Sequence, residues 1–276
     1  MSFFYDNDWL NRGLSSYAFQ WDHIVFIIVA MIIGVAAAIL LRKVSHKTVK
    51  IVLISMWAFY VTIEIMYYII IYVEAATNPS VHPFNIETML PLHSCLMLMY
   101  VFPIAMWVKN KYIKTAACNF LVVVNMIMGF ITLFVGCPPG GYAALSYFGV
   151  NTLVYHSIDV IIPLIMVVTN FYDLKKKDIL YGLAAFAALS TVIYIFDAIT
   201  GCDYFYFYDG HVFPAFKFIS ENVPHHILWS LLIITCYGIT ATAVHFLVFG
   251  IKYLIAKQKE KKQTINKPEG EKNTAE

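Results

Sequence analysis

Seven runs of about twenty apolar residues, separated by gaps whose charge alternates, leave this chain very few folds. A membrane-spanning helix needs about 20 mostly apolar residues. The runs lie at roughly 23–41, 50–73, 89–108, 113–135, 152–171, 179–200 and 225–251. Of the 19 Lys and Arg residues, all but Arg12 and Lys217 fall in every second gap: Arg42 to Lys50, Lys109 to Lys114, Lys175 to Lys177, and everything from Lys252 onward. Basic residues collect on the cytoplasmic side of membrane proteins. The pattern therefore predicts an all-α polytopic bundle of seven transmembrane helices, N-terminus outside and C-terminus cytoplasmic, in a plasma membrane.

Composition supports the same class. Hydrophobic residues make up 60% and charged residues 13% of the chain, whereas soluble domains carry about 25% charged residues. The net charge of +2 matters less than its sorting. A basic tail beside anionic headgroups follows from that sorting, and nothing in the chain points to nucleic acid as a partner. Membrane lipids are the expected partners. The first 22 residues are polar and acidic where a cleavable signal needs a basic start, so the first run is expected to remain as a span. The predicted organisation is an extracellular segment 1–22, a membrane domain 23–255 and a disordered basic tail 256–276. The outward gaps are rich in Tyr, Phe, Pro and Gly, as in CPPGGYAALSYFG and CDYFYFYDGHVFPAF, and read as interfacial loops.

Ionisable groups inside spans are costly and point to a site or a polar cavity. Glu64 lies 14 residues from the start of its run, roughly 21 Å from the basic face at 1.5 Å per residue. His93 is expected in the first turns of the third helix. Asn125 falls near the middle of the fourth, and His156 and Asp159 in the outer half of the fifth. Asp197 closes the sixth, and His225 and His226 open the seventh. All are midplane or outward; Asn119 and His245 are the inner exceptions. This one-sidedness suggests a polar cavity open to the exterior or outer leaflet. His156 and Asp159, at i and i+3, share a helix face. The carboxylate would orient the imidazole, as a general base requires, or the two would form a structural ion pair.

The five cysteines show no metal-ligand spacing. Cys137 and Cys202 fall in outward gaps, where they would pair in an oxidising exterior or react with an impermeant reagent. Cys118 lies toward the inner half of its helix. A retinal-binding protein would need a lysine midway along the last helix, and the lysine there is Lys252, at the inner end. A zinc hydrolase would want two ligands on one helix face; His225 and His226 are adjacent, about 100° apart. No metal and no cofactor are expected.

The stretch LPLHSCLMLMY, residues 90–100, resembles the third-helix motif Leu-Pro-Leu-His-x-Cys of the YwaF family of bacterial integral membrane proteins. Tyr155-His156 resembles that family's helix-5 histidine. GCDYFYF, residues 201–207, resembles its Gly-x-Asn-Tyr-x-x-Leu stretch, with Asp203 where the family has Asn. Pro224 resembles the proline that begins its last helix, and His225-His226 replaces an aromatic-rich sequence there. The family is mostly of unknown function and is distantly similar to a eukaryotic transmembrane acyltransferase of ether phospholipids. In that enzyme a Pro-Cys-His motif supplies a proposed nucleophile, whose place here is taken by Leu92. On a helix Cys95 would sit about 200° from His93, so it does not substitute directly.

The resemblance implies a lipid-modifying enzyme, acting by acyl transfer or ester hydrolysis. His93, His156 and Asp159 would carry the catalysis. Glu64, Asn125, Asp203, Tyr204 and His226 would bind substrate. The competing reading is a transporter or small-molecule binder that uses the same cavity.

Overall fold

The structure is a computed structural model. It describes residues 21–77, 90–135, 147–205, 218, 221–223 and 226–265. Among these residues it is all-helical. Helix α1 is Trp21–Leu41, α2 is His46–Thr77, α3 is Leu98–Trp107, α4 is Lys111–Phe120, α5 is Met126–Val135, α6 is Tyr147–Val168, α7 is Asp178–Thr200 and α8 is His226–Ile265. A π-helical turn, Leu121–Asn125, joins α4 and α5 into one span. Six helices are long and apolar enough to cross a membrane, and Ser94–Trp107 is a shorter apolar seventh. The expected seven-helix class is thus the observed one.

Local chemistry marks the ends. Asn110 caps α4, its side-chain oxygen accepting from the amides of Tyr112 at 2.9 Å and Ile113 at 3.2 Å. Ser45 does the same for α2 through Thr48 N–H. Gly201, at φ 76°, closes α7 in the left-handed conformation, which glycine adopts without steric cost. Asn170, also left-handed at φ 54°, ends the fifth span earlier than the apolar run suggests.

Burial separates the spans into two classes. About 72% of the α4–α5 span and 72% of the α6 span are buried, against 17–28% for the others. These two spans form the centre, and α1, α2, α7 and α8 surround them with apolar faces turned outward. With lipid tails as solvent, exposed Ile, Leu and Phe cost nothing, and specificity falls to close packing and hydrogen bonds. Gly129 of α5 lies so close to α6 that an added Cβ would stand 2.6 Å from Asp159 Cβ and 2.9 Å from the His156 carbonyl. Near the same contact, His23 of α1 hydrogen-bonds the Leu133 carbonyl of α5 at 2.7 Å. Pro103 inside α3 has no N–H to offer the carbonyl of Met99. The Trp57 indole N–H of α2 donates to that carbonyl instead, at 3.2 Å.

Several boundaries differ from the expected ones. The third run does not become a full span. Residues 90–93 are non-helical, Ser94–Met97 is a 3-10 turn, and the α-helix starts only at Leu98. Pro91 drives its neighbour out of the helical region, and His93 itself is extended, with φ −60° and ψ 147°. His93 therefore precedes the helix rather than lying in its first turns, and the 200° separation from Cys95 does not apply. Helix α8 runs on through Lys257 to Ile265, into the segment read as disordered. Its Lys, Gln and Glu residues are good helix formers. Residues 1–20 and 266–276 lie outside the described residues.

The cysteine expectations also change. Cys202 is a free, buried thiol, sheltered by the turn that follows α7, so the expectation of a reactive Cys202 is corrected. Cys137 lies outside the described residues. Cys118 is buried as well. In intact membranes, alkylation of a Cys202-only variant by an impermeant maleimide should match the low background of a Cys118-only variant. Rapid labelling at Cys202 would contradict this packing.

Candidate functional site

The third run's irregular start carries the site. Non-helical backbone is tolerated at membrane depth only where protein buries it or where it lines a cavity. Ser94–Trp107 covers about 20 Å of a hydrocarbon layer roughly 30 Å thick. The missing length is supplied by residues 90–93, and His93 sits at the junction. Its Nδ1 donates to the Tyr204 carbonyl at 3.2 Å, and the two rings meet edge to face with centroids 4.9 Å apart. Tyr204 is in turn fixed by its own N–H, which donates to Asp197 Oδ2 at 3.1 Å. Asp197 also accepts through its backbone carbonyl from Gly201 N–H at 2.8 Å. One buried carboxylate at the end of α7 thus holds the turn whose carbonyl orients His93.

His156 is 1% exposed. Its Nδ1 donates to the Thr152 carbonyl, one turn earlier on α6, at 2.7 Å. A carbonyl oxygen can only accept, so the hydrogen lies on Nδ1 and the lone pair on Nε2. Nε2 is buried and has no hydrogen-bond partner among the described residues. His93 is near enough for its charge to act on His156. Tyr155 stacks on His156 with ring centroids 4.3 Å apart and packs edge to face on Tyr60 at 6.2 Å. The Tyr60 hydroxyl donates to the Cys95 carbonyl at 2.9 Å, which ties α2 to the 3-10 turn.

The expected His156–Asp159 pair does not form. Sharing a helix face brought the two side chains to the same side, but each found a better partner. The Asp159 Oδ1 accepts from Asn125 Nδ2 at 2.8 Å, across the α5–α6 contact. The π turn widens the helix just before Asn125, and Gly129 one turn later lets α6 approach. The imidazole bonds back to its own helix. Asp159 is therefore not the orienter of His156; Thr152 is.

Glu64 is buried on α2, one turn beyond Tyr60, with Tyr68 in hydrogen-bonding reach and Tyr100 of α3 nearby. Asp203 is half-buried beside Tyr204, and Tyr237 of α8 lies close to both Asp203 and Cys95. His226 opens α8; its side chain lies outside the described residues, as do His225 and Pro224. The structure thus brings His93, His156, Tyr204 and Asp197 toward one region, with Asn125 and Asp159 forming a separate buried pair. Among the described residues, no group of three or more His, Cys, Asp and Glu is placed to hold a metal ion.

Asp197 and Tyr60 are organising residues to which the sequence assigned no role. Asp197 was visible as an ionisable group at the end of a span, four residues before the glycine that ends α7. Tyr60 left no signal, because a tyrosine in an apolar run reads as core until its hydroxyl is seen to reach another helix. A second polar cluster lies at the Lys-rich end. Asn119 Nδ2 bonds His245 Nδ1 at 3.0 Å. The Tyr172 hydroxyl donates to Asp178 Oδ2 at 2.7 Å. Burial, with the Asp178 carboxylate beside it, raises the Tyr172 phenol above its ordinary pKa. This cluster ties α4, α8 and the α6–α7 turn together and is distant in sequence from the histidine site.

A family model described as the TMEM164 family matches residues 18–253. Neither a curated protein nor a solved structure matches the chain.

Proposed function

The chain belongs to the TMEM164 family of transmembrane proteins, and from that footing we propose that it is a lipid-modifying enzyme, transferring or hydrolysing an acyl ester near the outer leaflet. The observation that carries the proposal is His156 Nε2, a lone-pair nitrogen with its tautomer set by Thr152 and with no hydrogen-bond partner among the described residues. A buried imidazole in that state is poised to take a proton from a hydroxyl. The acceptor would be the free hydroxyl of a lysolipid, or water for hydrolysis. As Nε2 removes the hydroxyl proton, the oxygen attacks the ester carbonyl. The ester C–O bond then breaks, and the leaving alkoxide takes the Nε2 proton of His93 in its imidazolium form, whose Nδ1–H Tyr204 orients; passage of the proton held on His156 to His93 restores both histidines.

This route needs no protein nucleophile, which suits a chain with Leu92 in the cysteine position of the distantly similar acyltransferase. The YwaF-type motifs at residues 90–95, 155–156 and 201–204 supply the two histidines and the Tyr204 turn. Glu64, Asp203, Tyr204 and His226 would border the substrate, and Asn125 with Asp159 would support the α5–α6 contact. The partners are membrane lipids. Comparing the lipids of membranes with and without the protein tests the reading: lysolipid and diacyl species should shift in opposite directions. An unchanged lipid profile with active protein present would refute it.

A transporter is the second reading, and the buried carboxylates Glu64 and Asp159, neither bonded to His156, are the observation in its favour. Proton-coupled uptake would give pH-dependent flux that fails in Glu64→Gln or Asp159→Asn while His156 variants keep it.

Orientation follows from the sorting of Lys and Arg. Reporters fused after Lys114, after Lys177 and at the C-terminus should report cytoplasm. Reporters near Pro79, Gly141 and Gly210 should report exterior. The opposite result would place the histidines toward the inner leaflet and remove the outer-leaflet assignment.

A further inference from the structure

At the centre of the bundle, Asn125 and Asp159 are both 0% exposed. Their one hydrogen bond uses the amide N–H of Asn125 and Oδ1 of Asp159. That bond takes the amide nitrogen and one carboxylate oxygen, and leaves the Asn125 oxygen and the second Asp159 oxygen outside it. Asn125 Oδ1 and Asp159 Oδ2 are both buried, and neither has a hydrogen-bond partner among the described residues. Among the described residues no cationic side chain is paired with Asp159, and the Asn125 hydrogen bond is the interaction that favours its charge. Such a carboxylate is costly inside a membrane protein unless something positive accompanies it.

Two breaks in regular helical bonding lie at the level of this pair. The π turn Leu121–Asn125 ends at Asn125 itself, and such turns often mark functional positions. On α6, Pro163 has no N–H for the carbonyl of Asp159. Backbone oxygens released from helical bonding commonly complete ion sites within membrane proteins. The Tyr60 hydroxyl approaches from α2, near enough to Asp159 to interact with its charge.

We propose that Asp159 Oδ2 and Asn125 Oδ1 form an intramembrane binding site for a small monovalent cation of the sodium type. The donor set is all oxygen and carries a single negative charge, which suits a hard monovalent ion. A divalent ion takes six to eight oxygens, usually with several carboxylates, and no group of His, Cys, Asp and Glu of that kind exists among the described residues. The α5 and α6 backbones approach closely at Gly129, one turn from Asn125, so the smaller alkali ion, sodium, is the one proposed. Binding would fasten the two central spans to each other, and it does not depend on lipid chemistry at the histidines.

The test uses the purified full chain in detergent at fixed pH and ionic strength, with sodium chloride replacing choline chloride. The melting temperature should rise saturably by a few degrees, with a smaller rise in potassium, and ²²Na⁺ should bind in a one-to-one ratio. Asp159→Asn, which keeps shape but removes the charge, should fold in choline, lose the sodium response and bind no ²²Na⁺. Asn125→Ala should raise the half-saturating sodium concentration about tenfold. An equal rise in choline, a sodium response that survives Asp159→Asn, or absent ²²Na⁺ binding would each overturn the proposal. The last would assign Asp159 to a proton or a buried water instead. Lipid turnover can fail in this protein without touching any of these outcomes.

Discussion

Replacing His156 by asparagine should lower lysolipid turnover by about 10²–10⁴-fold, the usual contribution of a positioned acid or base, while the protein stays folded. Asparagine places an N–H donor near the position of Nδ1, so the bond to the Thr152 carbonyl at 2.7 Å can persist. What disappears is Nε2, the proposed base, which has no hydrogen-bond partner among the described residues. The measurement is turnover beside melting temperature, for His156→Asn, Asp159→Asn and the double variant. Because His156 and Asp159 bond to different partners, their effects should fall on different readouts. His156→Asn should act on turnover, and Asp159→Asn on stability and its salt dependence. The double variant should show both losses independently. A double variant no worse than either alone would show that the two act as one unit, and turnover unchanged in His156→Asn would remove the proposed base.

A large stability effect is expected at Gly129. A Cβ there would lie 2.6 Å from Asp159 Cβ, 2.9 Å from the His156 carbonyl and 3.2 Å from Val160 Cγ2. A backbone carbonyl cannot swing aside, so α5 and α6 must separate. Overpacking of this kind costs about 1–3 kcal/mol. Separation would also stretch the Asn125–Asp159 bond, and a buried polar group left unpaired costs a further 1–3 kcal/mol or so. Gly129→Ala should therefore lose yield and melt at a clearly lower temperature, and Gly129→Val should be worse. Gly238 and Gly250 provide the controls. An added Cβ meets only Leu183 Cδ2 at 3.8 Å at Gly238 and nothing within 4 Å at Gly250. Alanine at either should be neutral or stabilising, since glycine costs about 1 kcal/mol in a helix interior. Equal losses at all three glycines would show that the α5–α6 contact is not special.

Legibility in the sequence followed the range of each interaction. The apolar runs and the alternation of lysines were enough to predict the helical class, because lipid requires each span to satisfy its own backbone. Pro91 was visible too, and it restricts Leu90 before it, but nothing local marks His93 as extended. Gly201 and Asn110 mark helix ends for local reasons that a sequence shows directly.

The site itself was legible only as a set of residue types. His156 and Asp159 sit three residues apart, and helical geometry correctly put them on one face. It could not rank Asn125, 34 residues away, above a neighbour one turn off. That choice depended on a π turn and a glycine contact between two spans. His93 is oriented by Tyr204 across 111 residues, and Tyr204 by Asp197 through a turn after α7. Sequence by itself determined the membrane class, six of the seven spans and the polar residues that had to be accounted for, since these follow from the cost of charge and of unpaired backbone in lipid. Only the tertiary structure decided which polar groups meet, because hydrogen bonds between spans depend on where helices approach within about 3 Å, and that distance is set by packing.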